Sequence, residues 1–461
     1  MSDFLFDEFP SVSSKQWKQK IQFDLKGDDY NKTLLTHTNE GITIKPFYHK
    51  DEMESLEIPN TPTKFNICQT IFVSTEKTAN YLALDALKRG ADSIQFFADA
   101  PFEIEALLVN ISKNTEIHFQ LSFLSESFIA DLSSYLKNHN SYLNIDIIGQ
   151  LTREGNWFFN LNQDFEILSN ILKNATNANI LQVNASQYQN AGANSVQQVA
   201  YALAHGNEYL NFITNNTSLR VTNQRGNIKK SINFNFAIGS NYFFEIAKLR
   251  AFRYLWKLIS DEYNITFDAN IFTQPTNRNK TLYDYNTNML RTSTESMSAI
   301  LGGTNTISNI SYDHPFHKKN EFGERIARNQ LLILKEESSF DDVAEFAKDS
   351  YYIESLTKEI AQKALDIFKD IEKSGGFLKQ LKAGTIQRKI KESADKEQEQ
   401  FDAKEIVLLG TNIHPNLDDK MKDTIELFPF VKIKPRKTLI QPIIAKRLSE
   451  KLEQERLKNE A

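Results

Sequence analysis

The sequence predicts an α/β fold: a (β/α)8 TIM barrel with an N-terminal extended arm and a C-terminal helical extension. Three observations predict it. Eight short runs rich in Ile, Val, Phe and Thr lie between Phe65 and Ser338, each followed by a longer stretch with apolar residues three and four apart. Strands alternating with helices require a mostly parallel sheet with right-handed crossovers. The rhythm has no break where an open, doubly wound sheet would reverse its strand order, so the closed form is favoured.

The elements follow in chain order. Residues 1–62 read as an arm with one helix, Lys15–Leu25 around Trp17, then a Gly-Asp-Asp turn at Gly27–Asp29 and extended chain to Asn60–Pro62. Phe4, Phe6, Phe9 and Trp17 cannot bury themselves in so thin a segment, so the arm is expected to pack on the barrel or on a second chain. Residues 63–340 carry the strand candidates Phe65–Ser74, Ser93–Asp99, Ile117–Phe123, Leu143–Gly149, Asn179–Ser186, Ile232–Gly239, Ile265–Gln274 and Thr304–Ser311. Val196, Val199, Leu203, Leu210 and Ile213 mark the fifth helix, and Phe243, Phe244, Ile246, Leu249, Phe252, Leu255 and Trp256 the sixth. Asp164 and Ser195 read as helix caps, and Gly302–Gly303 as a helix stop. Residues 341–404 read as helices broken at Gly375–Gly376, with Lys389–Lys404 a charge-dense solvated face. The tail, 405–461, holds a β-like Glu405–Leu409, a turn through Gly410–Pro415, a basic stretch Lys432–Lys437 and a charged helix Ala445–Asn459.

Bulk properties suit a soluble cytoplasmic protein. A chain of 461 residues can bury a large core. A formal net charge of −5 disfavours nucleic acid and anionic membrane as partners. The single cysteine, Cys68, excludes an internal disulfide and a cysteine metal cluster. No apolar run is long enough to span a bilayer, and the acidic start, Met1 to Glu8, lacks the basic region of a signal peptide.

Catalytic groups of such barrels stand where strands end. Here those ends supply Ser74, Asp99, Ser122, Gly149, Gln150, Ser186, Gln187, Ser240, Gln274 and Ser311. Amides and hydroxyls orient a ligand, whereas acid–base work needs His, Glu, Asp or Lys of tuned pKa. Of the eight histidines only His314 and His317 follow a strand closely, and with Asp313 alone beside them they read as surface loop residues rather than metal ligands. His118 reads as an interior hydrogen-bonded residue, Asp99 as a helix cap, and Gly302–Gly303–Thr304 as a turn rather than a phosphate loop. The strands carry bulky Phe96, Phe97, Phe119, Phe123, Phe234, Phe236 and Phe267. Facing inward they would plug the barrel; facing outward they would leave its axis free for a long ligand.

Several segments together resemble one family. Glu40-Gly41-Ile42-Thr43-Ile44-Lys45-Pro46-Phe47-Tyr48 is similar to an N-terminal element of methylmalonyl-CoA mutase. Gln189-Asn190-Ala191-Gly192-Ala193, Phe244 to Ala251, Asn288-Met289-Leu290-Arg291-Thr292, Leu301 to Thr304, Arg325 to Asn329, Glu336 to Ser338 and Ser350 to Glu354 continue the likeness in order across most of residues 15–410. The departures from that pattern concern the chemistry. The family's Tyr-His pair after strand five is replaced by Ser186 and Gln187, its Arg-x-Ser in strand six by Ser231-Ile232-Asn233, and its His-x-Gln after strand seven by Phe272-Thr273-Gln274. A family glutamate becomes Asn190, and only Ser74–Thr75 stand where active chains carry a long insert. No histidine has Asp two residues before it, as the cobalt-ligating motif requires, and the 61 residues after Gln400 are too few for a cobalamin domain.

The resemblance therefore implies the small, non-catalytic subunit of a heterodimeric enzyme that interconverts (R)-methylmalonyl-CoA and succinyl-CoA. No cofactor would be bound by this chain; adenosylcobalamin, the substrates and the chemistry would belong to the large catalytic subunit, which the arm embraces. This chain would hold no catalytic residue, and Gln187, Gln274 and Asn288 would be remnants of a substrate pocket. The alternatives are an acyl-CoA-processing enzyme built on Gln187, Gln274, Asn288 and Asp99, for which no titratable pair speaks, and a free-standing CoA-ester-binding barrel.

Overall fold

Strand-forming residues placed at alternate positions, with helices long enough to cross back, produce the expected closure. In the computed structural model, which describes residues 9–174, 179–216, 219, 231–263, 267–341, 345–432 and 435–460, the strands are β1 Asn66–Phe72, β2 Ser93–Ala98, β3 Glu116–Leu121, β4 Ser141–Ile145, β5 Asn179–Asn184, β6 Ser231–Ile238, β7 Asp268–Pro275 and β8 Thr306–Ser308. Each pairs in parallel with the next, and β8 closes on β1 with Ile307 opposite Ile67.

The period of two decides where the phenylalanines go. Phe234 and Phe236 of β6 point outward onto Phe252 of the Tyr242–Glu262 helix, with ring centroids 4.6 and 4.8 Å away, and Phe234 also meets Trp256. Phe96 and Phe119 stack 5.8 Å apart in the same outer layer. The neighbouring Ser195–Asn215 helix reaches this layer through Gly206, whose added Cβ would lie 2.6 Å from Trp256 Cζ3. The intervening residues, Asn233 and Asn235, are thereby directed to the barrel axis.

Several boundaries differ from expectation for local reasons. The fourth strand ends at Ile145: Ile147–Glu154 is helical, and Gly149 lies inside that helix rather than at a strand end. Asn144 adopts φ +48°, and the register against β5 shifts between Tyr142 and Ile145, an irregularity of the kind that re-aims side chains. Ser186 starts the short helix Ser186–Asn190 instead of ending a strand. The proposed start of the seventh strand at Ile265 is outside the described residues. Asn160, not Asp164, caps Leu161–Asn174 through Gln163 N at 3.0 Å, while Asp164 accepts from Phe158 and Phe159 N. Asn194 rather than Ser195 caps the next helix, in a capping box with Gln197. Asp99 caps no helix among the described residues; it accepts from Ser122 Oγ at 2.7 Å. Gly302–Gly303 end the Thr287–Leu301 helix as expected, with Gly303 at φ +86°.

In the arm, the helix is Ser14–Asp24, closed by a Ser13/Gln16 capping box, and a second short helix, Tyr30–Leu34, follows behind Asp29. Phe4 and Phe6 lie outside the described residues. The first helix buries only Ser14; Trp17 stacks on Phe47 at 4.5 Å yet keeps 45% of its surface exposed. After the barrel come helices Tyr351–Lys373, Phe377–Lys382 and Thr385–Asp402, the first two separated by Gly375 and Gly376 at φ +101° and +89°. The last places Ile386, Ile390 and Phe401 inward, with Arg388–Glu392 and Lys391–Asp395 pairs outside. Glu405–Leu409 is not a strand. A closed barrel offers no free edge, and a lone bridge from Leu409 to Ile413 is what forms. The terminal helix begins at Glu450, later than Ala445, because the residues before it cross the barrel as a strap.

Candidate functional site: the barrel interior and its mouth

The axis is lined by polar side chains and crossed by an aromatic cluster. His118 of β3 stacks on Tyr142 of β4 at 4.5 Å and 6°, and meets Phe272 of β7 edge-on at 5.2 Å. His118 is fully buried; its Nε2 lies 2.9 Å from Glu116 Oε1, which also accepts from Thr306 Oγ1 at 2.7 Å. Burial alone would raise the Glu116 pKa, but His118 and Thr306 outweigh it and hold the carboxyl below its ordinary value. His118 is thus the interior, hydrogen-bonded residue that its place in the strand suggests.

One layer away, three asparagines bridge β4, β6 and β7: Asn233 Nδ2 donates to Asn144 Oδ1 at 2.7 Å, and Asn270 Nδ2 to Asn233 Oδ1 at 2.9 Å. Gln182 of β5 is completely buried, and neither atom of its amide has a partner among the described residues. Such groups cost free energy in an apolar core. Phe272 adds an aromatic ring to this polar interior.

Each residue singled out as a pocket remnant has its own local setting. Ser186 Oγ donates to Asn184 Oδ1 at 2.6 Å, and Gln187 Nε2 to Thr152 Oγ1 at 2.5 Å. Gln274 sits near the end of β7. Asn288 is fully buried in the Thr287–Leu301 helix, where it receives Thr281 N at 3.1 Å and donates to Thr281 O and Tyr312 O, both at 2.9 Å. Among the described residues no hydrogen bond joins Gln187, Gln274 and Asn288 to one another. Asn190 ties two loops together, accepting from Thr276 Oγ1 at 2.8 Å and Asn277 N at 2.9 Å. His317 lies 3.1 Å from Asp313, His314 is exposed, and no group of three potential metal ligands occurs among the described residues.

Sequence reasoning missed the strongest polar assembly near the mouth. Asp146, just after β4, accepts from His205 Nε2 at 2.9 Å, Tyr209 OH at 2.7 Å, Gly149 N at 2.7 Å and Asn184 N at 2.7 Å. Tyr188 OH meets His205 Nδ1 at 2.9 Å. Burial pushes the Asp146 pKa up, but the charge and bond from His205, with the other donors, leave it below the ordinary value; burial raises Tyr188 and Tyr209. Every carboxylate oxygen here is already bonded, so the cluster holds loops in place and offers no free base.

Above it lies the tail. Leu439 and Ile440 N donate to Gly155 O, Ile443 N to Thr152 O, Lys446 N to Asn190 O and Leu448 N to Arg278 O; Leu427 N donates to Phe316 O. Arg447 pairs with Glu453 at 2.6 Å, and Glu453 Oε1 accepts from Leu282 N at 2.9 Å. The tail is therefore hydrogen-bonded to the loops after β4, β5, β7 and β8, across the face where barrel chemistry takes place.

A (β/α)8 barrel of the enzyme type, with its axis filled and amides and hydroxyls at its strand ends, is the class that fold and site define. Comparison with known proteins then fixes the family. The methylmalonyl-CoA mutase family model matches residues 121–458. The methylmalonyl-CoA mutase small subunit of Porphyromonas gingivalis is 34% identical over 92% of this chain and 73% of its own length. A methylmalonyl-CoA mutase of Rhizobium meliloti is 31% identical over 90% and 65%, and the mitochondrial one of Homo sapiens 26% over 88% and 60%. The chain spans less than two thirds of the length of these last two. It belongs to the methylmalonyl-CoA mutase family, an isomerase family, and its likeness to the small subunit makes it a mutase subunit chain.

Proposed function

We propose that this chain is the structural, non-catalytic small subunit of a heterodimeric methylmalonyl-CoA mutase. In that complex the large subunit would bind adenosylcobalamin and interconvert (R)-methylmalonyl-CoA and succinyl-CoA. The observation that carries the reading is the aromatic cluster across the barrel axis, Phe272 against His118 and His118 against Tyr142; the resemblance adds Ser186 and Gln187 in place of the family's Tyr-His pair. A long thioester arm cannot thread an axis occupied by those rings, and the Asp146–His205 cluster at the mouth is already fully hydrogen-bonded. This chain would contribute interface area and stability to its partner. Residues 1–62 would be the wrapping arm, 63–340 the degenerate barrel, 341–404 the helical extension and 405–461 the tail. The arm helix supports that division, since it is well capped yet exposes Trp17 and Phe23, the latter at 78%. Gln187, Gln274 and Asn288 stand as remnants without a catalytic role. We place the complex in the cytoplasm; no helix among the described residues is long and apolar enough to cross a membrane.

The test is affinity purification of the tagged full chain from its own cells. A larger chain bearing a cobalamin-binding motif should accompany it in fixed ratio, and the chain freed of that partner should retain no corrinoid absorbance. Corrinoid held by the lone chain would reject the proposal.

A further inference from the structure

Between the strap and the barrel mouth the structure leaves a cleft of about 470 Å³, within the range of small-ligand sites. Its lining mixes two chemistries. Pro315, Phe428 and Ile444 contribute apolar surface, with 59% of Phe428 and 54% of Ile444 exposed. Lys432 and Lys446 also line the cleft, with no ion pair to either ammonium among the described residues. The neighbouring cations are engaged: Arg153 with Glu154, Arg278 with Glu397 at 2.5 Å, and Arg447 with Glu453. The one acid in the lining, Glu450, is buried and turned into the tail, where it accepts from Arg447 N at 2.8 Å and Val431 N at 3.2 Å. Two lysines without an ion pair among the described residues, lining one cleft with an exposed aromatic ring on a chain of net charge −5, form a local arrangement for an anion that also carries a flat ring.

We infer that this cleft binds a nucleotide, its phosphates on Lys432 and Lys446 and its base against Phe428 and Ile444. The volume suits a mononucleotide better than a folded peptide, and an ammonium pair matches phosphate oxygens as point charges. The same chemistry is offered by a free nucleotide and by the nucleotide end of a coenzyme A ester. The site lies outside the barrel axis, and the inference does not rest on the subunit reading.

The test is equilibrium titration of the full chain with ADP, with coenzyme A and with inorganic phosphate. ADP should bind, more weakly at 300 mM than at 50 mM salt because exposed charges are screened, and inorganic phosphate should compete only at much higher concentration. K432E/K446E should weaken ADP at least tenfold, and F428A several-fold; unchanged circular dichroism and melting temperature would establish that these surface variants fold. Coenzyme A losing affinity in parallel with ADP would assign the site to the shared nucleotide moiety, and ADP binding without coenzyme A binding would assign it to free nucleotides. No ADP binding, ADP binding indifferent to K432E/K446E, or coenzyme A binding without ADP binding would each overturn the inference.

Discussion

Replacing Asp146 probes how the mouth of this barrel is held. The carboxylate gathers four donors: the backbone N–H groups of Gly149 and Asn184, Tyr209 OH and His205 Nε2. Gly149 is suited to its position because any Cβ there would run into that carboxylate. Asp146→Ala leaves all four donors buried without an acceptor. Each such donor costs about 1–3 kcal/mol, and breaking a buried charge pair about 3–5 kcal/mol. These figures overlap, since His205 enters both, and a total of about 4–5 kcal/mol is expected. Asp146→Asn can keep its oxygen on Gly149 N, His205 and Tyr209 but sets an NH2 against Asn184 N, so it should cost about 2 kcal/mol. Urea unfolding followed by tryptophan fluorescence measures both. The pH dependence adds a sign. A carboxyl whose folded pKa lies below its unfolded value, about 3.9, contributes stability that is fully present above that value and is lost as pH falls through the folded pKa. Asp146 is of this kind. The gap between parent and Asp146→Asn should thus hold from about pH 5 to 8 and shrink below about pH 4. An Asp146→Ala chain within about 1 kcal/mol of the parent, or a gap that widens in acid, would refute this reasoning.

Other outcomes follow from the same contacts. Glu295→Ala strands Lys280, which lies 2.8 Å from that carboxylate with both side chains about 1% exposed, and should cost about 3–5 kcal/mol in urea, while Lys280→Met with Glu295→Leu should recover most of it. Phe272→Ala removes the ring against His118 and should cost about 3 kcal/mol or more by the same assay. Trp17→Ala should shift the melting temperature of the lone chain little, because the side chain is half in solvent, yet should lower the yield of partner recovered in co-purification; unchanged recovery would remove the arm from the interface.

The barrel was legible because eight β-rich runs and their helices follow different periods, and closure follows from an unbroken rhythm. The face of each phenylalanine was not, since strands covered on both sides carry apolar residues on both. The alternation of Asn233 and Asn235 with Phe234 and Phe236 was the available signal, for amides on a helix-covered face would be stranded. Ile147–Gly149 passed for strand because a short apolar run has no period of its own. Glu405–Leu409 has strand composition but meets no open edge. The Asp146–His205 cluster joins residues 59 apart, which no local pattern marks. The departures at Ser186, Gln187 and Phe272 were readable only against the resembling family's pattern, and the place of Phe272 in the interior required its packing on His118.

The central claim is that this chain lends structure and not chemistry to a mutase. It is tested most directly by assaying succinyl-CoA formation from methylmalonyl-CoA with added adenosylcobalamin, using the lone chain, the two-chain complex, and complexes whose small chain carries Ser186→Ala or Gln187→Ala. The account predicts turnover by the complex alone, at a rate neither substitution changes. Turnover by the lone chain, or its loss from the complex on replacing Gln187, would contradict it.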